Sequence, residues 1–296
     1  MMDRLRPTEE SAIFNVEKRF SQVSRLRQSL NLPRINAAEY LGTPEQFANN
    51  PTMGIEIEMS WTQVFPELAA QWEDQDVRPS QLDKDSREYK LFSKSYNKLD
   101  KNLKPILEEI ENVIPRVGRD AYWEFSFLPS KHIGVTMAEL QTLYDARILR
   151  EGVPYATHMT VATIDNDRDA FAFLCGLELS GGSTPDRIKS AVTSSRGSWA
   201  RKGKGGLMKR QPYELIGKDT EGYEFRTLVA SSMQQMSSLL LTARDLATMY
   251  GQDPVAWKQY RSYIESFLKD NDLELMSWEN IKFTQAPWLK YAELLK

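Results

Sequence analysis

The chain of 296 residues carries one cysteine, Cys175, and two histidines, His132 and His158. A single cysteine excludes an intrachain disulfide and points to a reducing, cytoplasmic setting. One Cys and two His cannot assemble a structural zinc site. No apolar run approaches the length of a membrane-spanning helix, and the charged N-terminus has no apolar h-region, so neither a membrane span nor a signal peptide is expected. Charge excess is also missing: 38 Lys and Arg stand against 41 Asp and Glu, and a net charge of −3 offers no global attraction to nucleic acid. There is no Gly-x-Ser-x-Gly nucleophile elbow. The segment Gly197-Ser198-Trp199-Ala200-Arg201-Lys202-Gly203-Lys204 comes near a P-loop but has one residue too many between its glycines and no Ser or Thr after Lys204. No repeat, low-complexity tract or obvious linker divides the chain, and at 41% hydrophobic it can bury a sizeable core. One domain over 1–296 is expected.

What is present is a strongly alternating stretch, Met53-Gly54-Ile55-Glu56-Ile57-Glu58-Met59-Ser60-Trp61. Side chains in a strand repeat every two residues, so Ile55, Ile57 and Met59 share one face and Glu56 and Glu58 share the other. Two like charges at neighbouring same-face positions repel, so something positive must compensate them unless the face is simply solvated. Three further segments read as strands: 121–129 with Glu124 opposite Trp123, Phe125 and Phe127; 155–162 with His158 and Thr160 on a common face; and 222–228 with Glu224 and Arg226 opposite Tyr223 and Phe225.

Around these lie amphipathic helices. Residues 9–30 place Ile13, Val16, Phe20, Val23, Leu26 and Leu30 three or four apart, ended by Asn31-Leu32-Pro33, and are expected to dock on the main domain or on a second subunit. Residues 34–52 read as loop, and 61–85 as a long irregular connection of the kind that is often functional. The pattern predicts a long helix over 86–114, kinked or divided at Pro105, and helices over 136–150, 167–179, 229–250 and 253–269, with short helical pieces over 278–296. Residues 180–211 are rich in Gly, Ser, Lys and Arg, and are expected to be a basic mobile loop. Cys175, within Ala172-Phe173-Leu174-Cys175-Gly176-Leu177, reads as core rather than nucleophile. His132, after Pro129-Ser130-Lys131, reads as a surface residue in a turn, with substrate contact as the alternative.

Each of the four strands sets an apolar face against a group able to bind metal or phosphate. If they share one sheet, four carboxylates, one imidazole and one guanidinium collect on one face. Carboxylate oxygens suit Mg²⁺ or Mn²⁺. A carboxylate-rich cation site beside a basic Gly-rich loop fits phosphoryl transfer, with metal and Arg sharing the phosphate charge.

The ordered set Gly54-x-Glu56-x-Glu58, Glu124-Phe125 with Pro129, His158 on a strand, an Arg-bearing loop and Tyr223-Glu224-Phe225-Arg226 resembles the carboxylate–amine ligases, the superfamily of glutamine synthetase and glutamate–cysteine ligase, and within it the compact amidoligases. The match runs from about residue 53 to 230. The resemblance implies an α+β fold, with a curved, mostly antiparallel sheet whose concave face holds two or three Mg²⁺ or Mn²⁺ ions and ATP and whose other face is covered by helices. In this frame 1–32 is an appended helix, 53–230 the catalytic sheet and 231–296 C-terminal helices. It also implies an ATP-dependent ligase that phosphorylates a carboxylate and lets an amine displace the phosphate, releasing ADP and phosphate. Glu58 and Glu124 resemble ligands of the cation nearer the acceptor; Glu56, His158 and Glu224 resemble ligands of the cation on the ATP phosphates. Arg226 resembles the arginine on the transferring phosphoryl group, with Arg196 or Arg210, and Lys204, as further phosphate contacts. A further acidic ligand near the second strand has only Asp120 and Glu139 as poor candidates.

The same residues leave other activities open: a phosphotransferase of guanidino kinase type on the same sheet, or a non-catalytic nucleotide- or protein-binding descendant. The partners expected are small-molecule or peptide carboxylates and amines, with no nucleic acid and no membrane; a homo-oligomer stays open.

Overall fold

A computed structural model describes residues 9–40, 51–71, 81–109, 114–117, 122–127, 130–161, 164, 167–180, 207–210 and 222–271. The architecture is α+β. Among the described residues six strands, β1 (Met53–Ser60), β2 (Ile114–Val117), β3 (Tyr122–Ser126), β4 (Tyr155–Val161), β5 (Leu207–Arg210) and β6 (Gly222–Ala230), form one sheet in the order β2-β3-β1-β4-β6-β5. Every pairing is antiparallel. The four strands read from the sequence are consecutive neighbours at its centre, and the two that the sequence did not disclose are its edges.

The apolar face is sealed by helices α6 (Ile133–Asp145), α7 (Asp167–Ser180) and α8 (Met233–Gln252). Ile55, Ile57, Phe125, Tyr155, Met159 and Phe225 from the strands join Leu140, Leu143, Phe173, Leu177, Met236 and Leu240 from the helices in one continuous core. Each such side chain contributes about 1.5–3 kcal/mol on burial, so this face fixes which side of each strand turns inward. Phe173 stacks on Phe225 with centroids 5.0 Å apart. Cys175, on α7, is fully buried in the same core, and burial pushes its thiol well above the usual range, so its part is that of a small core residue. Helix α9 (Pro254–Asp270) closes the outer side, where Trp257 Nε1 donates to Asp169 Oδ1 at 2.7 Å and Arg261 pairs with the same carboxylate at 2.8 Å.

Helix α1 (Glu9–Ser29) docks on α6 of its own chain. Phe20 and Val23 pack on Val135 and Ala138. Arg19 grips Glu139 through Nε to Oε1 at 2.9 Å and Nη2 to Oε2 at 2.6 Å, and Arg27 reaches Asp145 at 2.7 Å. Glu139 is therefore committed to a buried ion pair, which removes it as a metal ligand. The helix ends as its Asn31-Leu32-Pro33 predicts: Asn31 takes a left-handed conformation (φ 54°) while Leu32 N–H donates to Arg27 O at 2.8 Å and Asn31 N–H to Gln28 O at 3.1 Å.

Several sequence expectations are corrected. The long helix α5 (Arg87–Glu109) runs through Pro105 undivided and stops five residues short of 114, where β2 begins. Phe92 and Tyr96, not Leu91, form its inward face, packing with Trp61, Phe65 and Leu68. Those three stand on α3 (Trp61–Val64) and α4 (Pro66–Ala69) or between them, so the start of the 61–85 connection is helical and packed. Loop 34–52 contains a helical turn, α2 (Ala37–Tyr40). The basic 180–211 stretch ends in strand β5. Helix α6 begins at Ile133 rather than 136, and β6 continues to Ala230 before α8 starts at Met233. The expected pieces over 278–296 lie outside the described residues.

His132 is not a surface residue. It is 5% exposed at the N-terminal end of α6, and burial, aided by the Arg19 charge, pushes its imidazole down from the usual 6.5 to about 4. The next turn is crowded as well: a Cβ on Gly134 would stand 1.9 Å from Tyr40 O.

Two predictions follow from this packing. Glu139→Leu alone should cost about 3–5 kcal/mol in urea unfolding, because it leaves Arg19 charged and buried, whereas Glu139→Leu combined with Arg19→Met should regain most of that loss. A double variant no more stable than the sum of its singles would refute this account.

A neutral buried His132 binds fewer protons folded than unfolded, so its stabilisation is complete above the unfolded value near 6.5 and is lost as pH falls toward about 4. The wild-type melting temperature should therefore fall more steeply over that window than that of a folded His132→Gln variant, by the equivalent of about 3 kcal/mol at most. Parallel melting curves against pH would assign the acid sensitivity to other groups.

Candidate active site

Strand β1 positions the two glutamates. Its inward residues are buried and Glu56, Glu58 and Ser60 are partly exposed on the opposite face. At its end Ser60 closes a capping box with Gln63: Gln63 N–H donates to Ser60 Oγ at 3.3 Å and Ser60 N–H to Gln63 Oε1 at 2.7 Å. Gln63 also donates to Pro154 O and accepts at its own carbonyl from Arg150. The Glu58 end of β1 is thus tied to the start of β4.

Register places the remaining candidates. Glu56 is opposite His158 on one side and Ser126 on the other; Glu58 is opposite Ala156 and Glu124. Directly opposed residues in an antiparallel sheet share a face. Thr160 is opposite Glu224, which is opposite Met208 in turn. Between β4 and β6 the register shifts: Thr157 pairs with Leu228 and Met159 with Phe225, so Arg226 and Thr227 together oppose His158. This is a bulge, a feature common next to active sites because it re-aims the chain locally.

Three side chains converge in detail. His158 is 5% exposed and lies between the two carboxylates, with Nδ1 3.7 Å from Glu56 Oε2 and Nε2 3.7 Å from Glu58 Oε2. Each ring nitrogen faces a different carboxylate. At 3.7 Å both contacts exceed hydrogen-bond length and stay within ion-pair range. Among the described residues no group of three or more His, Cys, Asp or Glu side chains stands ready to hold a metal. Glu124 and Glu224, placed by register, are the positions that would complete one. The donor chemistry, carboxylate oxygens with one imidazole, fits a hard divalent cation.

Glu56, Glu58, Glu124, His158 and Glu224 occupy one face across β3, β1, β4 and β6, and Arg226 falls at the bulge beside them. Arg210 is in β5 opposite Gly222, two residues from Met208, which puts it on the same face at the sheet edge. Arg196, Lys204 and Asp120 lie outside the described residues.

One charged residue on this face escaped the sequence reading. Arg116, on edge strand β2, is directly opposite Glu124. It completes a row across the sheet, Arg116–Glu124–Glu58–Ala156. The signal that could have found it is Pro115: proline within a short apolar stretch marks an edge strand, not only a break.

Among the described residues no helix is long and apolar enough to cross a membrane. Comparison with protein-family models, with curated proteins and with solved structures finds no match for this chain.

Proposed function

We propose that the protein is an ATP-dependent carboxylate–amine ligase, of the kind its motif order resembles, working on the carboxylate-bearing face of the sheet. The observation that carries the reading is the meeting of Glu56, His158 and Glu58 on that face, with Glu124 and Glu224 in register beside them and Arg226 at the adjoining bulge. A face that was merely solvated would have no reason to bury an imidazole between two acids.

On this reading Glu58 and Glu124 hold a cation near the acceptor, and Glu56, His158 and Glu224 hold one near the nucleotide. Bound Mg²⁺ or Mn²⁺ supplies charge neutralisation for the phosphates and the acceptor carboxylate. Arg226 contributes a guanidinium at the transferring phosphoryl group, where charge spreads over the equatorial oxygens. The carboxylate oxygen of the acid attacks the γ-phosphorus and the bond to ADP breaks. The amine then attacks the acyl carbon, loses a proton and expels inorganic phosphate. No protein nucleophile is required, consistent with Cys175 being sealed in the core. A curved, concave sheet belongs to this proposal as the shape that would enclose both substrates. Arg196 or Arg210, with Lys204, would supply the further phosphate contacts.

Acid- and amine-dependent ADP release, screened across amino acids, polyamines and peptides with Mg²⁺ and Mn²⁺, is the test. Hydroxylamine in place of the amine should yield a hydroxamate. Glu58→Gln and Glu224→Gln should abolish this turnover yet melt within a few degrees of wild type without metal, since removing one carboxylate from a face that carries several relieves like-charge repulsion. Acid-dependent AMP and pyrophosphate, or metal-free unfolding of both variants well below wild type, would overturn the assignment.

A further inference from the structure

Helix α5 carries a charge pattern that the proposed site does not use. Arg87, Lys90, Lys94, Lys98 and Lys101 are all exposed and follow one another at steps of three or four residues. At about 100° per residue they fall within an arc of about 80° and form one row roughly 21 Å long. The acids of the same span, Glu88 and Asp100, occupy positions about 80° outside that arc, one on either side. The opposite side of the helix is occupied: Phe92 and Tyr96 pack with Trp61, Phe65 and Leu68. The Phe92 ring meets those of Trp61 and Phe65 edge-on, with centroids 6.3 and 5.8 Å apart. This packing turns the basic row outward.

Like charges at i, i+4 destabilise a helix, and a face that is only solvated usually mixes Glu with Lys to gain from the same spacing. Here Lys90, Lys94 and Lys98 repeat at four, with Arg87 and Lys101 three residues beyond each end. Lys90 Nζ donates to the Asp85 carbonyl at 2.8 Å, and among the described residues none of the five forms an ion pair with a carboxylate.

We propose that the outer face of α5 is a docking surface for an acidic polypeptide segment. The proposal stands apart from the ligase reading. Same-side residues of an extended chain recur about every 7 Å, and residues one turn apart on a helix about every 6 Å, so Glu or Asp side chains on either can match the lysines of α5 one for one. Leu91, 37% exposed, borders the row and adds an apolar contact. The chemistry of the row favours a polypeptide over other polyanions. Four of its five charges are lysines, which attract carboxylates without the planar fork by which arginine reads phosphate. It holds no aromatic residue on which an unpaired base could stack. It is a single line on a chain of net charge −3, with no broad positive field to meet a duplex. The apolar side of α5 is packed within the protein and cannot enter lipid.

The experiment is fluorescence anisotropy with the full-length chain and a labelled Glu-rich peptide of about a dozen residues, long enough to span the row when extended. A peptide of equal length that alternates Glu and Lys is the control. At low ionic strength the Glu-rich peptide should bind and the control should not, and salt should weaken the binding steeply. Lys94→Glu should bind the Glu-rich peptide about tenfold more weakly, the scale of reversing one close charge near a surface. Lys258→Glu, at an exposed position of α9, changes the net charge equally and should bind like wild type, as should Lys94→Arg. Lys94→Glu turns two like-charge neighbours, Lys90 and Lys98, into opposite-charge ones, so it should melt at or above wild type. Lys94→Gln, with a smaller loss in the same direction, replaces Lys94→Glu if the latter fails to fold. No binding of the Glu-rich peptide by wild type overturns the proposal, as does equal weakening by Lys94→Glu and Lys258→Glu. Duplex DNA or phosphatidylserine vesicles held more tightly than the peptide, and released by Lys94→Glu, would assign the row to phosphate and overturn the polypeptide partner. Acid-dependent ADP release with small acids tests the ligase reading separately, and Lys94→Glu should leave it unchanged.

Discussion

Everything on the carboxylate-bearing face of the sheet answers to the repulsion between Glu56 and Glu58. They stand two residues apart on one strand, on one face, close to 7 Å from each other. At an effective dielectric constant of about 20, a repulsion of that range amounts to roughly 2 kcal/mol, a large share of the stability of an ordinary domain. The chain places an imidazole between the two acids and a guanidinium in register with the third, Glu124.

The apolar side of the sheet makes this possible. Slipping β1 by one residue would bury Glu56 and Glu58 in the core and expose Ile55, Ile57 and Met59. Burying two unpaired carboxylates is far more costly than any repulsion on the outer face. The helices α6, α7 and α8 therefore fix the register of the central strands, and the register fixes which charges meet. The same logic runs to the periphery. Arg19 and Glu139 form their buried pair only because α1 is held against α6 by Phe20, Val23, Val135 and Ala138.

The central strands were legible because their apolar residues alternate without interruption and are flanked by turn residues. Helix α1 was legible from its three-and-four spacing. The edge strands were not, for physical reasons. β2 has four residues, one of them Pro115, and β5 is Leu207-Met208-Lys209-Arg210; strands this short carry no period, and their pairing is decided by the neighbour's exposed hydrogen-bonding groups. His132 was misread because a polar residue after a proline-containing turn resembles a surface residue, and only the docking of α1 and Tyr40 over α6 buries it. The bulge at Arg226 and Thr227 was equally hidden, since strict alternation is what sequence reading assumes. Of the candidate site, the parity of each residue within its strand could be read, whereas which residue opposes which is a tertiary fact.

The charges on the face are ordered across the sheet. Arg116 stands on one edge strand, Arg210 on the other, Arg226 beside β4, and the carboxylates occupy the middle strands. An antiparallel sheet has little net dipole of its own, so these side-chain charges set the local field. On the reading proposed above, a nucleotide approaching from the β5–β6 side meets arginines first and then carboxylates that repel its phosphates. A divalent cation in the middle reverses that last step. Each ligand therefore improves the site for the other, and linkage requires the factor by which cation raises nucleotide affinity to equal the factor by which nucleotide raises cation affinity. A face with acids alone would bind cations regardless of nucleotide, and one with arginines alone would bind phosphate regardless of metal. The placement of arginines toward the edges with carboxylates between them is what would make the binding of either conditional on the other.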